Sequence, residues 1–447
     1  MIRTGVAALV LSAALSVSPG AAAALVPSGA TTGAGSASAA LSSDECTAST
    51  WISDVPTALS LLQSEDAWTR SHGSGVVVAV VDSGVAASNP HFVDALVGGA
   101  DLVGDGVGAT ADLDGHGTAL AGQIAARSVP KSGVVGLAPR AQIMPVRVYA
   151  GTSEAQVQAG IGPRTDRVAQ GIRYAAEHGA RVILVGVTTD AADAGLADAV
   201  AAATAQGSLV VASAGSRSHE LSIDQNEDDG VRYPAGVPGA LGVAATDAEG
   251  VVAATSIHGP HVSLSAPGTD VLTTSAAGAD CRFASEPSPA FAAAYVAGAA
   301  ALVAAAHPDE SPAQWAYRLE ATGVRADPDA RDDAAGWGIV QPYDAMILVP
   351  GAGVRGPESP FPSEASPAPA RPSASAAVVE HRDPANGTAL VLGVLGGVAA
   401  AVVLGVAGTI GVLRRRRAEP DEPAAVRAGG LFRDERAGDS DSAASED

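Results

Sequence analysis

Four long apolar runs dominate the middle of the chain. "GVVVAVVDSGV" (Gly75 to Val85), "QIMPVRVY" (Gln142 to Tyr149), "ARVILVGVT" (Ala180 to Thr188) and "GSLVVASAG" (Gly207 to Gly215) are continuous, rich in β-branched residues and closed by small ones. Apolarity without alternation predicts strands buried on both faces, as in a parallel sheet covered by helices. Between the runs, "TDRVAQGIRYAAEHG" (Thr165 to Gly179) and "GLADAVAAATAQG" (Gly195 to Gly207) have helical spacing and stop at glycine. Further on, "SPAFAAAYVAGAAALV" (Ser288 to Val303) predicts a helix of small residues. Strand and helix in alternation predict an α/β layered fold with a central, mostly parallel sheet flanked by helices. Chemistry in such sheets gathers at the carboxyl ends of the strands, which directs attention to the residues just after each run.

The two ends follow other patterns. Met1 to Ala24 has one early positive charge (Arg3), an apolar stretch through Val17 and alanines at Ala21 to Ala24, the layout of a signal peptide. Residues 25–50 form a low-complexity extension rich in Ala, Ser, Gly and Thr, and residues 51–349 form the expected globular domain. Residues 350–387 predict an extended Pro/Ala/Ser-rich linker. Ala389 to Leu413 is an uncharged span long enough to cross a bilayer, and Arg414 to Arg417 follow at once. That charge bias predicts a single-pass protein of the cell membrane, with the domain outside and a disordered tail (414–447) in the cytoplasm.

Composition narrows the picture in two places. A formal charge of −22 lacks the basic footprint of a nucleic-acid binder. The two cysteines, Cys46 and Cys281, both fall on the expected exported side, where they either form a disulfide or remain as two free thiols. The acidic stretch "SIDQNEDDG" (Ser222 to Gly230) is a candidate calcium loop by charge, but it lacks ligand spacing and is expected to be solvated. No histidine has metal-ligand spacing.

Two polar positions stand out at the ends of apolar runs. Asp82 closes "VVVAVVD", where a carboxylate must either cap a turn or orient a base. His116 lies between glycines in "DLDGHGTALAGQIAA" ahead of an Ala-rich helix, exposed as a general base must be. Each alone is ambiguous. Together, "VAVVDSGV" and "DGHGTALAG" resemble the Asp and His motifs of the subtilisin-like serine proteases, the subtilases. "GVVGLAPRAQIMPVRV" (Gly133 to Val148), "RYPAGVPGALGVAATD" (Arg232 to Asp247) and "SLSAPGTDVLTTS" (Ser263 to Ser275) continue the resemblance in order, over nearly all of Trp51 to Ala345. It implies a subtilisin-like three-layer fold and chain order Asp, His, Ser.

The resemblance fails where the serine belongs. The family motif Gly-Thr-Ser-x-Ala-x-Pro, laid on "SPAFAAAYVAG" in the register fixed by Tyr295 to Gly298, puts Ser288, Pro289, Ala290 and Ala294 at the Gly, Thr, Ser and Pro positions. In the same register of motifs, Ser216 stands where the family has its oxyanion Asn, and Leu184 and Gly186 stand in the substrate-binding strand where an Asn-x-Ser pattern is usual. Ser288 is a poor substitute nucleophile, being up to about 7 Å from the proper place along the chain and stiffened by Pro289. No acyl-enzyme forms without a nucleophile, which implies a pseudoenzyme.

Signal peptide, subtilase domain, linker and one membrane helix together resemble the mycosins, the membrane-anchored subtilases of type VII secretion. That resemblance implies subunits of the type VII membrane complex as partners. An extended peptide added along the strand at Leu184 and Gly186 is a further expectation. Competing readings are an endopeptidase with an unforeseen nucleophile and a surface binding module unrelated to secretion.

Overall fold

The computed structural model describes residues 46–217, 222–224, 227–283 and 287–362. The expected signal peptide, residues 25–45 of the extension, residues 363–387 of the linker, the span at 389–413 and the tail at 414–447 lie outside the described residues. All described residues fall in the unit Met1–Ser366.

The strands are β1 (Val77–Asp82), β2 (Ala100–Asp101), β3 (Gln142–Arg147), β4 (Val182–Val185), β5 (Leu209–Ser213), β6 (Ala240–Thr246), β7 (Val262–Pro267), β8 (Val271–Thr274) and β9 (Asp280–Phe283). The helices are α1 (Thr57–Leu61), α2 (Ser64–Trp68), α3 (His116–Ala125), α4 (Glu154–Gln158), α5 (Thr165–Glu177), α6 (Ala194–Ala205), α7 (Pro289–Ala306), α8 (Pro312–Ala321) and α9 (Pro342–Ile347). Seven strands form one parallel sheet in the order β2-β3-β1-β4-β5-β6-β7, while β8 and β9 form a separate antiparallel pair.

Both faces of the sheet are covered, which is why the strand sequences are apolar without a break. Val78, Val80, Leu184, Val211 and Val243 face one core with α3 and α7. Their neighbours Ala79, Val81, Ile183, Val185, Val210 and Ala212 face the other with α5 and α6. The α/β expectation therefore holds, with three layers. Helix α7 is apolar and long enough to cross a membrane, yet 89% of it is buried, so it is a core helix. Its alanines permit this position, since a backbone with small side chains can lie close under the sheet.

Cys46 and Cys281 are joined in a disulfide, with their Cα atoms 5.0 Å apart. The bond belongs to a larger clamp on the N-terminal segment. Asp280 donates its N–H to the Thr50 carbonyl at 2.9 Å, and its Oδ2 accepts from the Ile52 N–H at 2.8 Å. Its Oδ1 pairs with His91 Nε2 at 2.9 Å, both side chains being fully buried. The other His91 nitrogen meets the Arg127 carbonyl at 2.6 Å, just past α3. At the far end, the chain remains packed beyond the expected boundary at Val349. Phe361 lies edge-on to Tyr317 and under Arg318, and Arg355 pairs with Asp329.

Removing one member of a buried pair leaves its partner uncompensated. Asp280→Ala is therefore expected to lower unfolding stability by about 1–3 kcal/mol or more, since it strips the Ile52 N–H and His91 Nε2 of their partner, measured by urea melts followed by circular dichroism.

Candidate functional site

The carboxyl edge of the sheet collects the candidate residues. Asp82 ends β1, Tyr149 lies two residues past β3, Gly186 directly follows β4, and Ser216 lies three residues past β5. His116 is the first residue of α3, and Ala290 is in the first turn of α7. The structure thus brings Asp82 and His116 into contact and sets Phe291, next to Ala290, against the His116 ring, with centroids 5.5 Å apart.

Asp82 is completely buried. Its Oδ1 accepts three hydrogen bonds, each of 2.8 Å, from His116 Nδ1, the Ser83 N–H and the Tyr149 hydroxyl. Burial acts to raise its pKa, but the His116 charge and these donors prevail, and the carboxyl is held below its ordinary range. Burial and the Asp82 charge push the Tyr149 hydroxyl well above the ordinary tyrosine range, so it serves as a donor.

Oδ2 of Asp82 is buried without a hydrogen-bond partner. It faces Gly186, where a Cβ would come within 2.6 Å of that oxygen and 3.1 Å of His116 Cε1. Any side chain at Gly186 would push the Asp82 and His116 pair apart. Gly186 therefore acts here as the floor beneath the pair, whatever else the strand does.

The start of α3 is held from two sides. Asp112 accepts from the Gly115 N–H at 2.8 Å with one oxygen, and from the Thr118 N–H (2.8 Å) and hydroxyl (2.6 Å) with the other. Ser83 Oγ accepts from the Gly117 N–H at 2.9 Å, and a Cβ on Gly117 would fall 2.2 Å from the Gly84 carbonyl. The glycine after His116 is thus needed for the close approach of α3 to the loop after β1. Burial, as the larger effect, and the neighbouring Asp112 and Asp82 carboxylates raise Asp114 to about 6, against the pull of His116.

The remaining candidates are placed as follows. Ser216 is buried and its backbone bridges Ser256. Leu184 is a core residue of β4 with strands on both sides, opposite Val80 and Val211, so it has no open edge to offer a peptide. The segment past Gly186 is bridged at Thr188 by Ser222 and at Thr189 by Tyr233. Leu184 thus lies inside the sheet, and Gly186 lies just past the end of β4. In the acidic loop, Asp224 accepts from Thr189 and Ser222 hydroxyls at 2.9 and 2.8 Å, and Asp229 pairs with Arg217. Residues 225 and 226 of that loop lie outside the described residues.

Three functional neighbours escape a reading of the sequence. Tyr149 and Phe291 reach the pair over long sequence separations and carry no local signal. Asp112 does carry one, an acidic residue just ahead of a helix start, which the glycines around His116 overshadow.

Comparison with known proteins gives a consistent result. Residues 73–338, more than half of the 447, match the subtilase family, peptidase S8. Thermitase of Thermoactinomyces vulgaris is 35% identical over 243 residues, covering 54% of this chain and 80% of thermitase. Among solved structures, MycP1 from Mycobacterium smegmatis is similar at 27% identity and a TM-score of 0.58, over 69% of this chain and 89% of that one. The MycP3 protease from the type VII (ESX-3) secretion system is similar at 26% identity and a TM-score of 0.57, over 66% and 89%.

Two outcomes follow from the electrostatics. Tyr149→Phe removes a hydrogen bond to a buried charge and is expected to cost about 1.5–3 kcal/mol, read by urea melts at pH 7. Asp114 binds its proton more tightly folded than unfolded, so its ionisation opposes folding progressively from pH 3.8 to about 6 and fully above. Asp114→Asn should then add on the order of 3 kcal/mol at pH 7.5 and nothing at pH near 3.5, a contrast that melts at the two pH values would detect.

Proposed function

The chain belongs to the subtilase family, and from that premise we propose that it is a mycosin-like member without peptidase activity, acting as a scaffold or peptide-binding component of a type VII secretion membrane complex. The likeness to solved mycosins supports the secretion assignment. The single observation that carries the loss of activity is Ala290. The methyl of this buried residue stands in the first turn of α7, where the family's motif places the nucleophile, so His116 has no hydroxyl there to deprotonate.

The supporting chemistry is altered as well. In subtilisin, a relative, losing the oxyanion Asn costs roughly 10²- to 10³-fold in turnover, and losing the serine about 10⁶-fold. Ser216 is shorter than Asn and cannot reach the same point. Ser288 is buried and held by its N–H to the Gly268 carbonyl at 2.9 Å, which keeps it from moving into the nucleophile's place. Asp82 and His116 keep their contact without a turnover role, as part of the buried frame of the sheet edge.

Within this reading the Ala389 to Leu413 segment anchors the protein in the cell membrane, with the domain on the outer side and Arg414 onward in the cytoplasm. The linker then holds the domain near the membrane face of the complex, where a folded surface suffices and catalysis is unnecessary.

Labelling with a fluorophosphonate probe is expected to fail; robust labelling would sink the inactive reading. Affinity purification from native membranes is expected to bring down secretion-complex subunits, and their absence would remove the scaffold role. Ala290→Ser alone should leave hydrolysis at least 100-fold below an active subtilase, roughly the cost of the missing oxyanion donor, measured on a chromogenic peptide.

A further inference from the structure

The edge of the sheet opposite the Asp82 and His116 pair has a groove of its own. A cavity of about 270 Å³ opens against Leu209 and Ala240, the first residues of β5 and β6. Because the sheet is parallel, these strand starts lie at the far edge from Asp82, the last residue of β1. The cavity follows one face of α8 from Pro312 through Ala316 to Glu320, about 12 Å along the axis. Glu358 and Pro360 border it from the C-terminal segment. Through Thr204 and Pro312, which line both, it adjoins a second crevice of about 440 Å³, whose polar walls include Gln206, Ser311 and Gln314.

The charges in the smaller cavity are all negative. Glu320 and Glu358 line it, and neither makes an ion pair among the described residues, because the arginines nearby are engaged: Arg318 with Glu310, Arg331 with Asp333 and Arg355 with Asp329. Glu320 stands in the last turn of α8, at the negative end of the helix dipole, where a carboxylate is disfavoured and a cation favoured. Thr204, in the last turn of α6, brings a second negative helix end to the groove, and its Oγ1 is buried without a hydrogen-bond partner. Burial, only partly offset by the Ser263 hydroxyl and Arg331, raises Glu320 to about 7. Tyr317 and Glu358 are the other titratable groups lining the cavity with it.

Two carboxylates, an unused hydroxyl oxygen and two helix carboxyl ends are acceptors short of a cation. An ammonium or guanidinium head meets that need, and the apolar wall of Leu209, Leu241 and Ala316 suits the methylene stem behind it. The adjoining polar crevice gives the backbone on either side of such a residue a place to lie, which favours a polypeptide over a free amine.

We propose that this groove at the amino edge of the sheet binds a basic side chain, lysine or arginine, presented by another polypeptide, with Glu320 and Glu358 as counter-charges and Thr204 Oγ1 as a further acceptor. The site lies away from the residues of the peptidase motifs and stands whether or not the chain hydrolyses peptides. A bound cation holds Glu320 ionised, so affinity is full above about pH 7 and falls as the pH drops below it.

The test uses the full-length protein and fluorescein-labelled Ala-Ala-Lys-Ala-Ala, with arginine and norleucine counterparts, followed by anisotropy. At pH 8 the lysine peptide, the arginine peptide or both are expected to bind about tenfold more tightly than the norleucine peptide. That preference should shrink several-fold at pH 5.5 in the unaltered protein and vanish at pH 8 in Glu320→Gln. Glu358→Gln should weaken it a few-fold, while Glu249→Gln, past the carboxyl end of β6, should leave it unchanged. Equal binding of basic and norleucine peptides would overturn the site, as would failure of all three to bind at millimolar concentration. A preference that survives Glu320→Gln, or falls equally in Glu249→Gln, would show only the general attraction of an acidic protein and would overturn it too. None of these outcomes touches the fluorophosphonate and co-purification results, so this proposal can fail separately from the scaffold reading.

Discussion

A carboxylate with no water around it imposes the strictest condition on this structure. Asp82 sits at the end of a strand buried on both faces, and an unmatched charge there is costly. Three donors meet it from three places: its own turn at Ser83, the start of α3 at His116, and the segment after β3 at Tyr149. The fourth side is kept clear by Gly186. These residues therefore hold one another for reasons of stability alone. Removing His116 would leave Asp82 buried and short of a partner, with a cost typical of broken buried pairs. Nothing comparable protects position 290, where a methyl in the first turn of α7 packs without an unmet polar group. A chain released from selection for turnover would be expected to keep the first two residues and lose the third.

The same frame extends to the N-terminal segment. Thr274 and Thr273 on β8 donate their hydroxyls to the Thr118 and Ala119 carbonyls in the first turn of α3, each at 2.8 Å. Strand β9 pairs with β8 and carries Cys281 and Asp280, which hold Cys46 and Thr50 to Ile52. His91 closes the circuit from Asp280 to the far end of α3 through the Arg127 carbonyl. The disulfide is therefore mechanically continuous with the helix that presents His116, although the two lie on different elements. Cross-linking a segment separated by 235 residues mainly restricts the unfolded chain; in the folded chain, its effect passes through this row of hydrogen bonds.

Sequence patterns disclosed the sheet most clearly where both faces are buried. The runs through Val77–Asp82, Gln142–Arg147, Val182–Val185 and Leu209–Ser213 are unmistakable because neither face needs a polar residue. Strand β6, "ALGVAAT", is made of residues equally at home in a helix, and β8 with β9 is an antiparallel pair that no hairpin dipeptide announces. The site was half legible. Asp82 and His116 sit in local motifs, and the altered serine motif is visible in one register. Tyr149 is 67 residues from Asp82, and His91 is 189 residues from Asp280. Such pairs are created by the fold and leave no periodic trace. The contacts past Val349 are hidden for a similar reason: one Phe361 and one Arg355 anchor a stretch whose composition is that of a linker.

The contrast between α3 and α7 concerns how the molecule distributes its stability. An N-cap serine that accepts from its own helix is ordinarily worth about 0.5–2 kcal/mol, and Asp112 takes up the Gly115 and Thr118 N–H groups at the start of α3. Ser288 has the residue type, position and backbone angles of a cap and still does not cap. Local rules are broken in folded proteins chiefly where a site needs groups left unmatched. Helix α7 starts this way although sixteen of its eighteen residues are buried. What differs between the two helix starts is the acceptor: α3 has the Asp112 carboxylate, whereas the N-cap Ser288 of α7 makes no side-chain capping bond.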